Sequence, residues 1–388
     1  MILIALHRVG PYHHARLQCL ADRLELTVLE TRPLSCEYPW DSLPSGSYTL
    51  HSLRGATDPE SDPPTLDLDQ QLAELLDRCL PAVIVSVGWA DRSYQRLVMQ
   101  AWRRRIPLVL ISDSRWRDEP RQPWKEAIKR GLLRGYSAAL VAGSESRAYL
   151  GLLGFPSEAI FRPWDVVDNV AFRRPPERPR DSGIPHFLCV SRFVPKKNHI
   201  GLLTAYGDYQ RQSGRWGLRL IGTGPCEPLI REAVACLPDP IRVSIEPFLQ
   251  LPALAAAYGA ASAFVLASHT DQWGLVVNEA MAAGLPVIVS RGCGCAVDLI
   301  EEGRTGWSFD PVDPAALTAC LHAVERLPEP ARRAVTAAAT ERLEDFTPER
   351  FADGLWDAVE WARRYPRHSR RSAIVASLLS QRCFSPAA

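Results

Sequence analysis

Short apolar runs recur along the first half of the chain, at Ile2 to Leu6, Leu26 to Leu29, Ala82 to Val87, Pro107 to Ile111 and Ala138 to Val141, with helix-compatible stretches between them. Runs this short suit strands covered on both faces better than buried helices, so the alternation predicts βαβ units on a parallel sheet. The pattern breaks over residues 171–184, AFRRPPERPRDSGI, where Arg and Pro crowd out any apolar period and predict an interdomain linker. It resumes at His186 to Val190, Leu218 to Ile221, Val243 to Ile245, Ala263 to Ala267 and Pro286 to Val289, a second α/β domain. In ERFADGLWDAVEWARR, residues 349–364, the positions of Phe351, Leu355, Ala358, Val359 and Ala362 predict an amphipathic terminal helix. The expected organisation is an N-terminal Rossmann-like domain over 1–170, a linker over 171–184 and a second Rossmann-like domain over 185–345. A helix over 346–366 packing back toward the first domain and a basic tail over 367–388 follow. Two open parallel sheets joined by a hinge predict a ligand in the cleft between them, outside the carboxyl ends of the strands.

A length of 388 residues agrees with two domains, and 46% hydrophobic residues suffice for sizeable cores. The balance of 45 Lys+Arg against 44 Asp+Glu argues against a protein held to nucleic acid by bulk charge. Ten Cys are too dilute for a disulfide scaffold, and Cys293 and Cys295 form a lone CxC in a glycine-rich turn, so no metal is expected. The first apolar run stops at Leu6 and meets Arg8 without a small-residue cleavage site. With no apolar stretch of about 20 residues either, a cytoplasmic location is expected.

The densest chemistry lies in SHTDQWGLVVNEAMAAGLPVIVS, residues 268–290, which reads as a loop after a strand, a helix from near Gly274, and a stop at Gly284 and Pro286. Amides at Gly274, Leu275 and Val276 would point out of the helix N-terminus, where roughly half a positive charge collects, and suit a phosphate or a sugar hydroxyl. Asp271 falls in the loop and Glu279 inside the helix, so they face different parts of one ligand; without a ligand, Asp271 would cap the helix and Glu279 would sit on a solvated face. Arg192, Lys196, Lys197 and Asn198 follow the strand His186 to Val190, where cations would neutralise a diphosphate, although a solvated turn would look the same. The Gly222-Thr223-Gly224 loop allows close backbone approach, but Glu227 stands where a dinucleotide fingerprint needs its third glycine.

In the order SRFVPKKN, LIGTGP, EPF, SHTDQWGLVVNEAMAAGLPVIVS and DLIEEGRTGWSFDPVDPAAL, residues 186 to about 320 resemble the nucleotide-sugar-binding domain of GT-B glycosyltransferases of the retaining family 4 type (glycosyl transferases group 1). The resemblance implies a GT-B fold, two Rossmann-like domains facing across a cleft. It also implies a hexosyl transfer with retention of anomeric configuration, without a metal or resident cofactor, from a UDP- or GDP-linked sugar acting as co-substrate. Arg192 and Lys197 would bind the diphosphate, Glu279 the ribose, Asp271 the sugar hydroxyls, and the Gly274, Leu275 and Val276 amides the phosphate and sugar. Gly222 and Gly224 would line the nucleotide site, and Pro247, Phe248 and Leu249 would help hold the base. VVDN at 166–169 looks like the strand end before the linker.

The sequence departs from the family at two places. Asp271 stands where the family has Glu, with seven residues between it and Glu279, so the carboxylate is one methylene shorter. Ser112-Asp113-Ser114 replaces the segment in which many members carry a His, which leaves Asp113, with His13 and His14, as acceptor-side candidates by location. The acceptor class spans glycans, lipid-linked sugars and small molecules. A sugar-nucleotide epimerase and a non-catalytic nucleotide-sugar-binding protein share these features; the loop at 269–279 argues for transfer, and Arg192, Lys197, Gly274 and Glu279 argue against decay. In PWKEAIKRGLLRGY the residues Trp124, Ala127, Ile128, Gly131 and Leu132 form one stripe, and residues 363–388 carry six Arg and no acid, which suits transient contact with anionic lipid at the inner membrane face. Packing of that stripe on the sheet is the competing expectation.

Overall fold

The computed structural model describes residues 1–33, 40, 41, 43–55, 65–173 and 184–381. The chain divides into two units, Met1–Asp165 with Pro348–Ala388, and Val166–Thr347.

Unit 1 holds a seven-stranded parallel sheet of β1 (Ile2–Leu6), β2 (Leu26–Glu30), β3 (Thr49–Ser52), β4 (Val83–Val87), β5 (Leu108–Ser112), β6 (Ala138–Val141) and β7 (Ile160–Phe161), ordered β3-β2-β1-β4-β5-β6-β7. The order reverses beside β1, which pairs Ile2 with both Leu26 and Val83. Unit 2 repeats the plan in six strands, β8 (His186–Val190), β9 (Gly217–Ile221), β10 (Val243–Glu246), β11 (Ala263–Leu266), β12 (Val287–Ser290) and β13 (Trp307–Phe309), ordered β10-β9-β8-β11-β12-β13. Here the reversal falls between β8 and β11, where Phe187 pairs with Ala263. In each sheet the loops at the carboxyl ends of the strands beside the reversal diverge and leave a crevice.

Every apolar run marked in the sequence is a strand, and all but β10, a half-buried edge strand, are largely buried within a sheet. Three strands have no such run. β3 is an edge strand exposed along most of its length, β7 has two residues, and β13 is three residues of mixed polarity.

The unit boundary falls at Asp165 and not at residue 170. Val166 and Val167 are buried but form no strand, so VVDN is not a strand end. Asp168 caps the short helix Asn169–Phe172 by accepting from the Val170 and Ala171 amides at 3.0 and 3.1 Å. Phe172 packs edge-on against Tyr258 at 5.6 Å, which ties this segment to unit 2. Residues 174–183 of the expected linker lie outside the described residues.

The chain returns to unit 1 in helix Pro348–Arg364, which buries Phe351, Leu355, Ala358, Val359 and Ala362. Part of the expected tail is a further helix, Arg370–Ser380, packed on helices Arg92–Arg104 and Pro123–Leu133, with Ser372 Oγ donating to the Leu132 carbonyl at 2.5 Å. The stripe expected on Pro123–Leu133 is rotated. Glu126, Leu132 and Leu133 are buried, while Trp124 and Ala127 are exposed. Glu126 is accommodated because it accepts from Tyr149 at 2.8 Å and pairs with Lys129 at 3.1 Å.

Candidate active site

The site in unit 2 is assembled from loops after β8, β9, β11 and β12. After β8 the chain passes Ser191 and Arg192, makes a short turn at Pro195–Lys197, and enters helix His199–Arg211 through Asn198. Asn198 is left-handed (φ 55°), and its Oδ1 accepts from the Gly201 amide at 3.2 Å to cap that helix. Its Nδ2 donates to the carbonyls of Ala267 and Pro311 at 3.1 and 3.0 Å, so one side chain ties three segments together. The His269 amide donates to the Lys196 carbonyl at 2.8 Å, joining the loops after β8 and β11 by main chain as well.

This places Lys197 against Asp271. The Lys197 ammonium pairs directly with Asp271 Oδ2, and both side chains are largely buried. Asp271 does not cap the helix: Gly274 is the N-cap residue of Leu275–Ala282, with φ 101°, a backbone state that favours glycine. Asp271 is braced from the other side by the loop after β12. Its amide donates to the Gly292 carbonyl at 3.1 Å and its carbonyl accepts from the Gly294 amide at 2.9 Å. A Cβ on Gly292 would lie 2.3 Å from the His269 carbonyl oxygen, so only glycine lets the loops meet there. The Cys293 and Cys295 turn is therefore the brace of the Asp271 loop, and both cysteines are buried.

Glu279 is fully buried and does not sit on a solvated face. Next to it in sequence, Asn278 accepts from Trp273 Nε1 at 2.9 Å. Arg192, Leu275 and Val276 are partly exposed, as are Phe248 and Leu249, while Pro247 is exposed. Gly222 and Gly224 serve the protein's own packing. With φ of 157° and 153°, each lies so close to the loop after β8 that a Cβ would meet the Ser191 carbonyl oxygen at 1.9 Å or the Phe193 carbonyl oxygen at 2.5 Å. Phe193 in turn donates its amide to the Thr223 carbonyl at 2.8 Å.

His199, which the sequence reading passed over, sits beneath this loop with Nε2 3.0 Å from Ser191 Oγ and its ring edge-on to Phe193. Burial, aided by the Lys197 charge, lowers its pKa to about 4, so it is neutral at pH 7.

In unit 1 the carboxyl ends of the strands carry a second polar cluster. His13, in the first turn of helix Pro11–Ala21, accepts from the Gly10 amide at 3.3 Å, and burial together with the Arg16 charge lowers its pKa to about 3. Arg16 is buried 3.7 Å from Asp165 and stacks over Trp164 at 4.4 Å; burial lowers its pKa to about 10, against the pull of Asp165, Tyr12 and Asp113. His14 Nδ1 lies 2.9 Å from the Tyr48 hydroxyl, and Asp113 accepts at its carbonyl from Ser146. Beside them Asp91 pairs with Arg32 at 2.8 Å and His7 at 3.3 Å; burial acts to raise its pKa, but His7, Arg32 and the Ser93 amide hold it below the usual carboxylate range. Arg16, Arg32, Asp91 and Asp165 carry no motif, and only the sheet collects them.

Residues 173–342 match the family described as Glycosyl transferases group 1. The match takes in all six strands of the second sheet and every site residue named in unit 2, and leaves unit 1 outside it. Over 205 residues the chain is 27% identical to a GDP-mannose-dependent alpha-(1-6)-phosphatidylinositol monomannoside mannosyltransferase of Mycolicibacterium smegmatis, covering 51% of this chain and 48% of that protein. Over 189 residues it is 32% identical to a D-inositol 3-phosphate glycosyltransferase of Streptomyces scabiei, covering 46% and 41%. The chain thus spans half or less of the length of these curated relatives. A crystal structure of Anabaena HepE in complex with UDP superposes with a TM-score of 0.73, covering 93% of this chain and 100% of that one at 15% identity. A Rickettsia africae glycosyltransferase gives 0.72 over 92% and 97% at 13% identity. The two parallel-sheet α/β units are those of the GT-B fold.

Proposed function

We propose that the protein is a glycosyltransferase that moves a hexose from a nucleoside-diphosphate sugar, UDP- or GDP-linked, to an acceptor hydroxyl with retention of configuration, using neither metal nor resident cofactor. The observation that carries this reading is the junction of Lys197, Asp271 and the Gly274 helix start at the carboxyl ends of β8 and β11. Cation, carboxylate and helix N-terminus stand there as a diphosphate joined to a polyhydroxylated sugar requires. The group 1 match over 173–342 supports it, as do a relative named as GDP-mannose-dependent and a fold neighbour solved with UDP.

In this reading Arg192, Lys197 and the amides of Gly274, Leu275 and Val276 receive the diphosphate, and the positive end of the helix strengthens their hold. The bond between the anomeric carbon and the β-phosphate oxygen breaks, its electron pair leaving with the diphosphate. The acceptor oxygen attacks the same face, and its proton passes to the departing phosphate oxygen. The protein's work is to stabilise charge on the leaving group, which fixed cations in a part-buried site do well. Asp271 holds sugar hydroxyls, Glu279 the ribose, and Phe248 and Leu249 the base. Gly222 and Gly224 hold the β9 loop against the β8 loop, beside the nucleotide. His13, His14 and Asp113 are assigned to the acceptor.

The test is donor turnover. The protein is incubated with UDP- and GDP-linked hexoses, with and without lipid-linked and soluble sugar acceptors. Release of free nucleotide with a product retaining the donor's anomeric configuration is expected. Interconversion of sugars without release would mark an epimerase, and binding without turnover a non-catalytic protein.

A further inference from the structure

One face of unit 1 has a composition that neither packing nor helix stability explains. Helix Arg370–Ser380 buries Ser372, Ala373 and Ala376 against helices Arg92–Arg104 and Pro123–Leu133, and turns Arg370, Ile374 and Leu378, four residues apart, outward with Arg371 beside them. Ile374 and Leu378 are 51% and 60% exposed. At the approach to this helix, Arg367 and His368 line a shallow depression with Trp102 and Gly135. Arg103 adjoins Trp102, Arg105 follows two residues later, and Arg134 adjoins Gly135. Residues 92–105 carry five Arg and residues 363–381 five more, with no acid in either segment. The one acid of residues 121–134, Glu126, is buried and already paired. Among the described residues, Arg103, Arg105, Arg134, Arg367, Arg370 and Arg371 have no carboxylate partner.

Arg103 lies in the last turn of its helix, and Arg105 and Arg134 directly follow helix C-termini, where the macrodipole favours a cation. Arg370 and Arg371 are the first two residues of their helix, where it opposes one. Two cations held against the dipole, beside exposed Ile and Leu, weaken the isolated protein and gain only from something anionic with an apolar interior. We propose that this face docks on an anionic lipid bilayer, the arginines over lipid phosphates and Ile374 and Leu378 entering the headgroup boundary. The arginine stems can follow the apolar side chains inward while the guanidinium groups stay at phosphate level. No helix among the described residues is long and apolar enough to cross a membrane, so the contact is peripheral. The basic ends precede β5 and β6, at the amino edge of the sheet, so docking leaves the loops at its carboxyl edge uncovered.

The full chain is centrifuged with phosphatidylcholine vesicles alone or containing phosphatidylglycerol. Sedimentation with the anionic vesicles only is expected at about 50 mM salt, and its loss at about 0.5 M. Arg370→Gln with Arg371→Gln should lower the partition coefficient by on the order of tenfold or more, since each arginine near an anionic surface contributes about 1 kcal/mol. Ile374→Ser with Leu378→Ser should lower it severalfold without altering the salt dependence. All four residues are on the surface, so the melting temperature should hold; Arg333→Gln on unit 2 should change nothing. Failure of the parent chain to sediment overturns the proposal, as do equal binding to neutral vesicles or double variants that bind like the parent. Retention on a single-stranded oligonucleotide with the vesicles left free would reassign the face to nucleic acid. Binding of UDP or GDP in solution, measured separately, tests the transferase reading independently.

Discussion

Lys197 and Asp271 neutralise each other across two loops, and each variant at this pair changes what the other meets. Asp271→Asn removes the partner that competes with a phosphate for Lys197, so affinity for free UDP or GDP should stay level or rise by up to about threefold, while turnover falls roughly a hundredfold through lost contact with the sugar. Lys197→Ala leaves a carboxylate uncompensated where the diphosphate should sit, and nucleotide affinity should fall about thirtyfold or more. Titration calorimetry with the free nucleotide separates the two; if Asp271→Asn turns over every donor like the parent, Asp271 serves only to hold Lys197. His199 yields a prediction about pH. Its folded pKa of about 4 lies below the ordinary 6.5, so the unfolded chain binds the extra proton between those values. Its contribution is therefore complete above pH 6.5 and is lost as pH falls toward 4, by roughly 2 to 3 kcal/mol. Urea midpoints of parent and His199→Phe at pH 7 and 4.5 should converge at the lower pH.

Between elements, close approach of loops is what makes the site. Gly222, Gly224 and Gly292 are places where one backbone lies against another, and a methyl group there pushes whole loops apart. Gly222→Ala faces both the Ser191 carbonyl and an unfavourable φ, and should cost at least ~2 kcal/mol. It should also move the segment carrying Arg192, so thermal melting and nucleotide affinity should fall together. A glycine needed only to admit the ligand would lose affinity at unchanged melting temperature.

At the scale of the molecule, unit 1 is built from both ends of the chain, because helices Pro348–Arg364 and Arg370–Ser380 return to it. Gly354 lies so close to the Arg162 carbonyl that a Cβ would approach it to 2.6 Å, and Ser372 reaches the Leu132 carbonyl. Ending the chain at residue 365 uncovers the apolar groove that Ala373 and Ala376 fill, and should lower the melting temperature by several degrees. If calorimetry resolves the two units, the loss should fall on one transition, with nucleotide affinity preserved.

The alternation of short apolar runs was enough to predict two parallel sheets, because a strand covered on both faces must be apolar throughout and that requirement is local. Placing the chemical segments after those runs likewise put Arg192, Lys197, Asp271 and Gly274 on loops at the carboxyl ends of strands. The edge strands β3, β7 and β13 escaped because little or nothing covers them or they are too short to show a period. The Lys197–Asp271 pair, the brace of Gly292 and Gly294 behind Asp271, the buried Arg16 beside Asp165 and the helix Arg370–Ser380 lying on two others join residues far apart in sequence. Only the tertiary structure decided them, because which distant side chains and carbonyls meet depends on how the strands are ordered in the sheet, and that order is set by the packing of whole elements rather than by any local run of residues.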